Sequence, residues 1–368
     1  MALSFTLEAE DQATPARAGR VTTAHGTFQT PAFMPVGTAA SVKTLTPDEL
    51  RAAGTEILLA NTYHLSLRPG AETVRELGGL HRFMGWNGPI LTDSGGFQVM
   101  SLAGLVKLDD DGIDYRSHVD GHAGRLTAET CIAAQETLGV DVAMSLDECV
   151  AAGATPAEVA RAVRRTTAWA ARGRNARTRD DMALFGIVQG AFDPEQRRVS
   201  AGELVPLEFD GYAAGGLSVG EPPDETARLA AFTVGLLPRD RPRYLMGTGT
   251  PSDLLRFAGM GYDLFDCVLP TRNARNGMLF TRDGKLMIRN ARHTRDPRPV
   301  DEHCGCYTCR HFSRGALRHL HMAHEMLGAQ LATLHNLHFY LELMREIRAA
   351  LAEGVFPGRA GVAAGAWA

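Results

Sequence analysis

Short apolar segments, each followed by glycine or a polar residue, recur eight times in the first three quarters of the chain. Segments with helical hydrophobic spacing lie between most of them, so the pattern alternates strand and helix. This alternation is typical of a parallel sheet, and eight strands suffice to close it into a (β/α)8 barrel. A doubly wound open sheet is the alternative. The apolar segments are 32–36, 56–60, 89–92, 140–146, 183–188, 212–214, 243–246 and 262–265.

Helix N-terminal signals agree with this α/β pattern, and one insertion interrupts it. Thr46 and Thr155 each precede a proline and an early acidic residue, which is the usual order at a capped helix N-terminus. Near 101–125 the repeat is interrupted. Residues 113–119 alternate apolar and polar side chains before Asp120 and Gly121, which predicts an inserted β-hairpin. The predicted helices are 46–53, 70–77, 127–138, 155–172, 194–202, 224–236 and 251–260.

The rest of the chain predicts the domain organisation. We expect 1–290 to form a catalytic barrel with an N-terminal extension and the insertion. Residues 291–357 should form a zinc-binding subdomain with a C-terminal helix packed back on the barrel, and 358–368 a flexible tail. No stretch of about 18 apolar residues predicts a membrane span, and no apolar segment behind basic residues predicts a secretory signal. We therefore expect a cytoplasmic protein.

The cysteines near the end of the chain predict a zinc site. Cys304, Cys306 and Cys309 are too close together for a disulfide framework, which agrees with a reducing compartment. Three thiolates and one imidazole form a closed tetrahedral set with no position for water, so the zinc would be structural. His335 lies in a helical segment and can complete the set. Six other histidines compete for that position: His303, His311, His319, His321, His324 and His338.

Polar residues follow the predicted strands, and in a barrel they would meet at one mouth. Asp266 is such a residue, and it opens a basic stretch. Residues 270–298 hold eight arginines and lysines against two aspartates, a local charge of +6, whereas the chain carries −4. This pattern favours a carboxylate nucleophile acting on a polyanion held by its phosphates. A solvated charged loop capped by Asp266 is the plainer alternative.

Other strand ends suit a flat heterocyclic ring. A purine-like ring needs a carboxylate for its N–H donors, an amide or backbone N–H for its carbonyl, and apolar groups on its faces. Asp93 follows another strand, and the two glycines after it permit close approach of the backbone to a ligand. The groups that would bind the ring are supplied by Asp147, Gln189, Gly216, Phe97 and Met246.

Several motifs together resemble those of the tRNA-guanine transglycosylases, from about Thr22 to about Arg348. The resemblance implies a (β/α)8 barrel with a zinc subdomain that helps to form a homodimer. It also implies a pentosyltransferase of queuosine biosynthesis that exchanges guanine at the wobble position of tRNA. The motifs are NTYHL at 61–65, LTDSGGFQ at 91–98, DEC at 147–149, GLSVGE at 216–221, DCVLPTRNAR at 266–275 and TLHNL at 333–337.

The resemblance also implies roles for individual residues. Asp266 would be the nucleophile on the ribose anomeric carbon and Asp93 the general acid/base. The other matching positions are Asp147, Gln189 and Gly216 on the base edge, Leu217 on an aminomethyl group through its backbone, Phe97 and Met246 around the ring, Arg272 and Arg275 on tRNA, and Cys304, Cys306, Cys309 and His335 on one structural zinc per subunit.

Two positions indicate the bacterial type, whose members take 7-aminomethyl-7-deazaguanine. Eukaryotic catalytic subunits tend to have a larger aliphatic residue where Cys149 stands and glycine where Val219 stands. The chain departs from the family pattern at 150–154 and at Ala191, where a second glycine is common. A retaining glycoside hydrolase would use a similar pair of carboxylates, and a noncatalytic zinc-dependent RNA-binding partner is another alternative.

Overall fold

The computed structural model describes residues 2–102, 105–151 and 153–356, and its centre is a parallel barrel. Ala32–Met34 pairs with the last strand of the barrel, whereas Val36–Gly37, on the other side of Pro35, pairs with the second, so the two pieces of the first strand close the ring. The predicted fold class is confirmed. The predicted tail 358–368 lies outside the described residues. The remaining barrel strands are Leu58–Ala60, Ile90–Thr92, Val142–Met144, Ala183–Val188, Gly211–Ala214, Arg243–Leu245 and Leu264–Asp266.

Helices surround the barrel, and their starts follow the predicted signals. Thr46 and Thr155 each form a capping box with the glutamate three residues later, and proline occupies the first turn. These caps satisfy backbone N–H groups that the helix itself leaves without partners. The helices of this region are Pro47–Ala53, Thr62–Leu67, Ala71–Glu76, Gly79–Met84, Gly96–Leu102, Ala128–Leu138, Pro156–Ala176, Pro194–Leu204, Pro223–Val234, Pro251–Gly259 and Leu269–Arg275.

Alternate residues of the strands fill the barrel interior, and the others pack against the helices. Met34, Leu91 and Phe185 belong to the inner cluster, which also contains Val21 and Phe28 from the N-terminal segment. Both faces of the sheet are therefore buried, which is why the strands read as continuous apolar runs. The polar groups at the strand ends therefore rest on a close-packed core.

An antiparallel sheet precedes the barrel and covers the N-terminal ends of its strands. Its strands are Ser4–Glu10, Arg17–Thr23 and Gly26–Thr30. The buried Arg17 guanidinium donates from Nε to Asp263 Oδ1 at 3.0 Å and from Nη2 to Asp263 Oδ2 at 2.6 Å. Two parallel charge-assisted hydrogen bonds thus join this sheet to the last barrel strand.

A second carboxylate joins the same sheet to the barrel. Asp141 accepts from Nδ1 of His25 at 2.8 Å and from Nε2 of His81 at 2.9 Å. It also accepts from the backbone N–H groups of His25 and Ile90. The two imidazole rings are stacked, with centroids 3.6 Å apart and 18° between their planes. Nearly parallel rings direct both nitrogens at the carboxylate, so this cluster is a polar network with all four lone pairs of Asp141 in use.

The insertion is larger than predicted. Gly112–Arg116 and Ala123–Thr127 form the predicted antiparallel pair, but Val106–Leu108 adds a third strand. This strand is too short to show a period of two in the sequence, and it is recognisable only from its pairing with Gly112–Arg116.

Up to residue 356, the C-terminal part contains a β-hairpin, a short 3-10 helix at Ala291–His293 and three α-helices. Tyr340 Oη donates to Gly249 O at 2.6 Å, and Arg348 Nη1 to Pro31 O at 2.7 Å, so the last helix is bonded to the barrel. Among the described helices, none has the length and apolar character needed to cross a membrane. These elements are Met278–Thr281, Gly284–Met287, Tyr307–His311, Arg314–Met322 and Met326–Ala352.

We expect Asp263→Asn to lower the free energy of unfolding by about 3–5 kcal/mol, because it leaves a buried Arg17 charge without its counter-ion. The double change Arg17→Met with Asp263→Leu should recover much of that loss, since it removes both charges. Urea midpoints of the three variants and the parent test this. Equal midpoints for Asp263→Asn and the parent would show that the ion pair does not hold the N-terminal sheet.

Candidate active site and metal centre

The polar residues at the C-terminal strand ends converge on the barrel mouth. Asp93, Asp147 and Asp266 are close enough for the charges of Asp147 and Asp266 to raise the pKa of Asp93. Gln189 bonds directly to Asp147. The structure therefore brings together four of the positions that the sequence marked separately.

Asp93 is buried and held by the start of the neighbouring helix. Its Oδ1 accepts from the backbone N–H of Thr62 at 3.0 Å, and its Oδ2 accepts from the side-chain amide of Asn61. Asn61 is also the N-cap of Thr62–Leu67, so the cap fixes its orientation. Burial is the largest effect on this carboxyl and, with the nearby charges, raises the pKa of Asp93 to about 7. A carboxyl of this kind can hold or release a proton near neutral pH.

Asp266 has an asymmetric set of hydrogen bonds. Its Oδ1 accepts from the Tyr244 hydroxyl at 2.5 Å and from the backbone N–H of Gly247 at 2.8 Å. Its Oδ2 has no donor in the described part of the chain. Burial raises the pKa of Asp266, and the bonds from Tyr244 and Gly247 oppose that shift. One oxygen is thus anchored and the other is available for chemistry.

Asp147, the third carboxylate, belongs to a polar cluster that could form hydrogen bonds with the edge of a heterocyclic ring. Asp147 Oδ2 accepts from Gln189 Nε2 at 2.7 Å, and Oδ1 accepts from Ser94 Oγ at 3.3 Å. Burial raises the pKa of Asp147 to about 6. Gly216 lies against the same amide: a Cβ there would stand 2.4 Å from Gln189 Oε1, and its φ of 64° is in the left-handed region. Only glycine fits this position without displacing Gln189.

The apolar residues predicted to surround the ring are buried to different extents. Leu217 is buried, and Met246 packs on the inner core of the barrel. Phe97 is 49% exposed and follows Gly96, which packs against the backbone of Asp147. Its ring is therefore accessible beside the carboxylate cluster, as a stacking face must be.

Arg272 and Arg275 lie on Leu269–Arg275, the helix that follows Asp266. Arg272 is exposed, whereas Arg275 is half-buried and donates from Nη1 to Thr271 O at 2.8 Å. Neither pairs with a carboxylate across 2–102, 105–151 and 153–356. Their charges are available to an anion beside the mouth.

The three cysteines and His335 form one cluster. Nδ1 of His335 lies 3.7, 3.5 and 3.3 Å from the sulfurs of Cys304, Cys306 and Cys309. A tetrahedral zinc with usual bond lengths separates sulfur and nitrogen ligands by about 3.6 Å. Nε2 of His335 lies 2.7 Å from Phe280 O and would donate its proton there, leaving Nδ1 as the ligand. These four residues could hold a metal ion, and the donor set suits zinc.

Three residues with clear contacts in the site were missed from the sequence. Tyr244 bonds to Asp266, and its sequence neighbourhood carries no signal for that contact. Ser94 lies within the LTDSGGFQ motif, but its bond to Asp147, 53 residues away, depends on the barrel. Glu221 accepts from the N–H groups of Ser218 and Val219 at 2.5 and 2.9 Å and thereby shapes the loop after Gly216. The sequence did carry a signal for Glu221, because an acidic residue at the end of a glycine-rich turn often accepts hydrogen bonds from the backbone of that turn.

Comparisons with known proteins support these observations. The family model described as "Queuine tRNA-ribosyltransferase" matches residues 11–360. A protein of that name from Moorella thermoacetica is 55% identical over 353 residues, covering 96% of this chain and 95% of the relative. Another from Desulforudis audaxviator is 55% identical over 357 residues, covering 97% and 96%. A third, from Methylobacillus flagellatus, is 53% identical over 354 residues, covering 96% and 95%.

We expect His335→Ala to lose bound zinc and to lower the melting temperature, because metal binding contributes to the folding free energy of such a site. His338→Ala is the matched control, since it removes a histidine one helical turn away that lies outside the ligand set. Metal analysis of the purified variants measures the outcome. Full zinc content in His335→Ala would show that another side chain supplies the fourth ligand.

Proposed function

The chain belongs to the queuine tRNA-ribosyltransferase family, and from that premise we propose that it exchanges guanine at the wobble position of tRNA for 7-aminomethyl-7-deazaguanine. The observation that carries the proposal is the unlike bonding of two carboxyls at one mouth: the half-buried Asp266 has one free oxygen, and the buried Asp93 has a pKa near neutrality. Exchange of one base for another with retained stereochemistry requires two displacements. It therefore needs a nucleophile and a separate acid/base.

Asp266 is the nucleophile in this proposal. Oδ2 attacks the ribose anomeric carbon, the bond to guanine breaks, and a covalent ribosyl ester to Asp266 joins enzyme and tRNA. Tyr244 and Gly247 hold Oδ1 and leave Oδ2 directed at the substrate. The second displacement reverses the step: the entering base attacks the same carbon and Asp266 leaves as a carboxylate.

Asp93 transfers the proton in both steps. Its acid form protonates the departing guanine, and the resulting carboxylate accepts a proton from the entering base. The bonds from Asn61 and Thr62 restrain the carboxyl while both protonation states are used. The pair resembles the two carboxyls of a retaining glycosidase, but the amide-lined pocket favours a heterocyclic base over a sugar.

The pocket recognises the base by its edge. Asp147 accepts the N–H donors of a guanine-like ring, and Gln189 and the Gly216 N–H bind its carbonyl side. The backbone of Leu217 faces the aminomethyl group of the precursor, while Phe97 and Met246 cover the ring. The base must leave its stack in tRNA to reach these groups.

Basic residues beside the barrel mouth bind the RNA in this proposal. Arg272 and Arg275 contact phosphates beside the extruded nucleotide, which supplies salt-dependent affinity. In 291–357, Cys304, Cys306, Cys309 and His335 hold one structural zinc, which fixes the subdomain and takes no part in the chemistry. We place the chemistry in 1–290, and we propose that the zinc subdomain contributes to a homodimer.

Labelled guanine and unmodified tRNA with guanine at the wobble position test the function. The parent should incorporate label and form a protein–RNA adduct that survives denaturation. Asp266→Asn should do neither, because a neutral amide cannot attack the anomeric carbon. An adduct that persists in Asp266→Asn and disappears in Asp93→Asn would mean that the two roles are exchanged. No incorporation by the parent would overturn the proposed exchange.

The first displacement should also depend on pH. The pKa of Asp93 is raised to about 7, so its acid form is present below that pH and is lost above it. Single-turnover release of guanine should therefore fall about tenfold per pH unit above that point. Asp93→Asn should release guanine slowly, and its rate should not show this fall with rising pH. A parent profile that is flat between about pH 6 and 9 would rule out Asp93 as the acid.

A further inference from the structure

Arg197 is a fully buried cation behind the base pocket. It lies in Pro194–Leu204, the helix that follows the Gln189 strand end. Gly190 packs directly on this helix, since a Cβ there would stand 2.6 Å from Arg197 N. Ser200 of the same helix accepts from Gln189 N at 3.1 Å. One helix thus supports the loop that carries Gln189.

The Arg197 guanidinium donates mainly to backbone carbonyls. Nε donates to Ala191 O at 2.8 Å, and Nη2 donates to Gly215 O at 3.1 Å and Gly216 O at 3.3 Å. Nη1 lies 3.5 Å from the Thr233 hydroxyl. No carboxylate pairs with Arg197 in the described part of the chain. Burial lowers the pKa of Arg197 to about 10, which still leaves it charged at neutral pH.

These bonds determine where two N–H groups point. In a trans peptide the carbonyl and the N–H are directed oppositely. The Gly215 carbonyl shares its peptide with the Gly216 N–H, and the Gly216 carbonyl shares its peptide with the Leu217 N–H. Both N–H groups therefore point away from the guanidinium, and neither has an acceptor within the described ranges. The left-handed Gly216 between them suits a concave pair of donors of the kind that binds anions.

We propose that Arg197 is a positioning residue, which orients and polarises the two peptides on either side of Gly216 so that their N–H groups bind the C6 carbonyl oxygen of the exchanged base. The inference rests on the proposed function. A positive charge at the carbonyl end of a peptide strengthens the donor at its other end. Such prearranged donors act where negative charge develops, and here it develops on the base as it departs.

The backbone conformation of Ala191 also indicates that the contacts of Arg197 restrain this loop. Its φ of 46° is in the left-handed region, which a side chain disfavours, and its carbonyl accepts the Arg197 Nε–H. The alanine that departs from the family pattern therefore adopts the conformation for which glycine is preferred. Arg197 is one of the contacts that keep it there.

Arg243 offers a matched control. It is also a buried arginine that donates to two backbone carbonyls, from Nε to Pro238 O at 3.0 Å and from Nη2 to Leu237 O at 2.8 Å. Those carbonyls precede a barrel strand and lie far along the chain from Gly216. An arginine-to-lysine change removes the planar fork at either site while keeping the charge.

The experiment measures binding to the full chain of guanine and of 2-aminopurine, which lacks both the C6 carbonyl and the N1–H of guanine. Arg197→Lys should weaken guanine binding about tenfold, the effect of one misaligned hydrogen bond, and leave 2-aminopurine within about twofold. Arg243→Lys should change neither affinity. If Arg197→Lys does not fold, Thr233→Val removes one anchor of the guanidinium and should reduce guanine affinity by about fourfold, with 2-aminopurine affinity unchanged.

The outcomes separate this inference from the function on which it rests. Unchanged guanine affinity in the Arg197 variant, or equal losses for both bases, would overturn the positioning role while the parent still prefers guanine. A parent that binds the two bases equally would overturn the proposed recognition of guanine, and the role of Arg197 with it.

Discussion

Crowding of three carboxylates at one end of a barrel, Asp93 and Asp147 buried and Asp266 half-buried, is the constraint on which the rest of this structure depends. Each of the three is withdrawn from water near the others, which disfavours its charged form. Each is compensated by different donors: Asp93 by Asn61 and Thr62, Asp147 by Gln189 and Ser94, and Asp266 by Tyr244 and Gly247. Similar carboxyls thereby acquire different chemistry from their surroundings, a pattern typical of active sites.

At the opposite end of the barrel, Asp141 and Asp263 are both bonded to side chains of the N-terminal sheet. Asp141 accepts four hydrogen bonds, and the pKa of Asp141 is lowered, because the bonds outweigh its burial. Asp263 is paired with Arg17 in bidentate geometry. Both anchor the N-terminal sheet. In this fold, residues at the N-terminal ends of the strands are expected to contribute to stability, and those at the C-terminal ends to form the active site.

Local signals in the sequence were sufficient for much of the architecture. The strand ends at Asp93 and Asp266, the caps at Thr46 and Thr155, and the cysteine spacing each depend on neighbouring residues. The N-terminal sheet could not be predicted in the same way, because it is defined by contacts such as Arg17 with Asp263, 246 residues apart. The roles of Tyr244 and Arg197 were hidden for the same reason. Their chemistry lies in what they bond to across the barrel.

The metal cluster has a consequence for how the chain reaches its fold. Cys304 and His335 are 31 residues apart, and His335 belongs to the helix that docks on the barrel through Tyr340 and Arg348. An ion held by these ligands would act as a removable cross-link that closes this loop and reduces the conformational entropy of the unfolded chain. Because the loop is local in sequence, it can close before the distant first and last barrel strands meet. Metal capture would then pre-organise the helix on which the end of the barrel is completed.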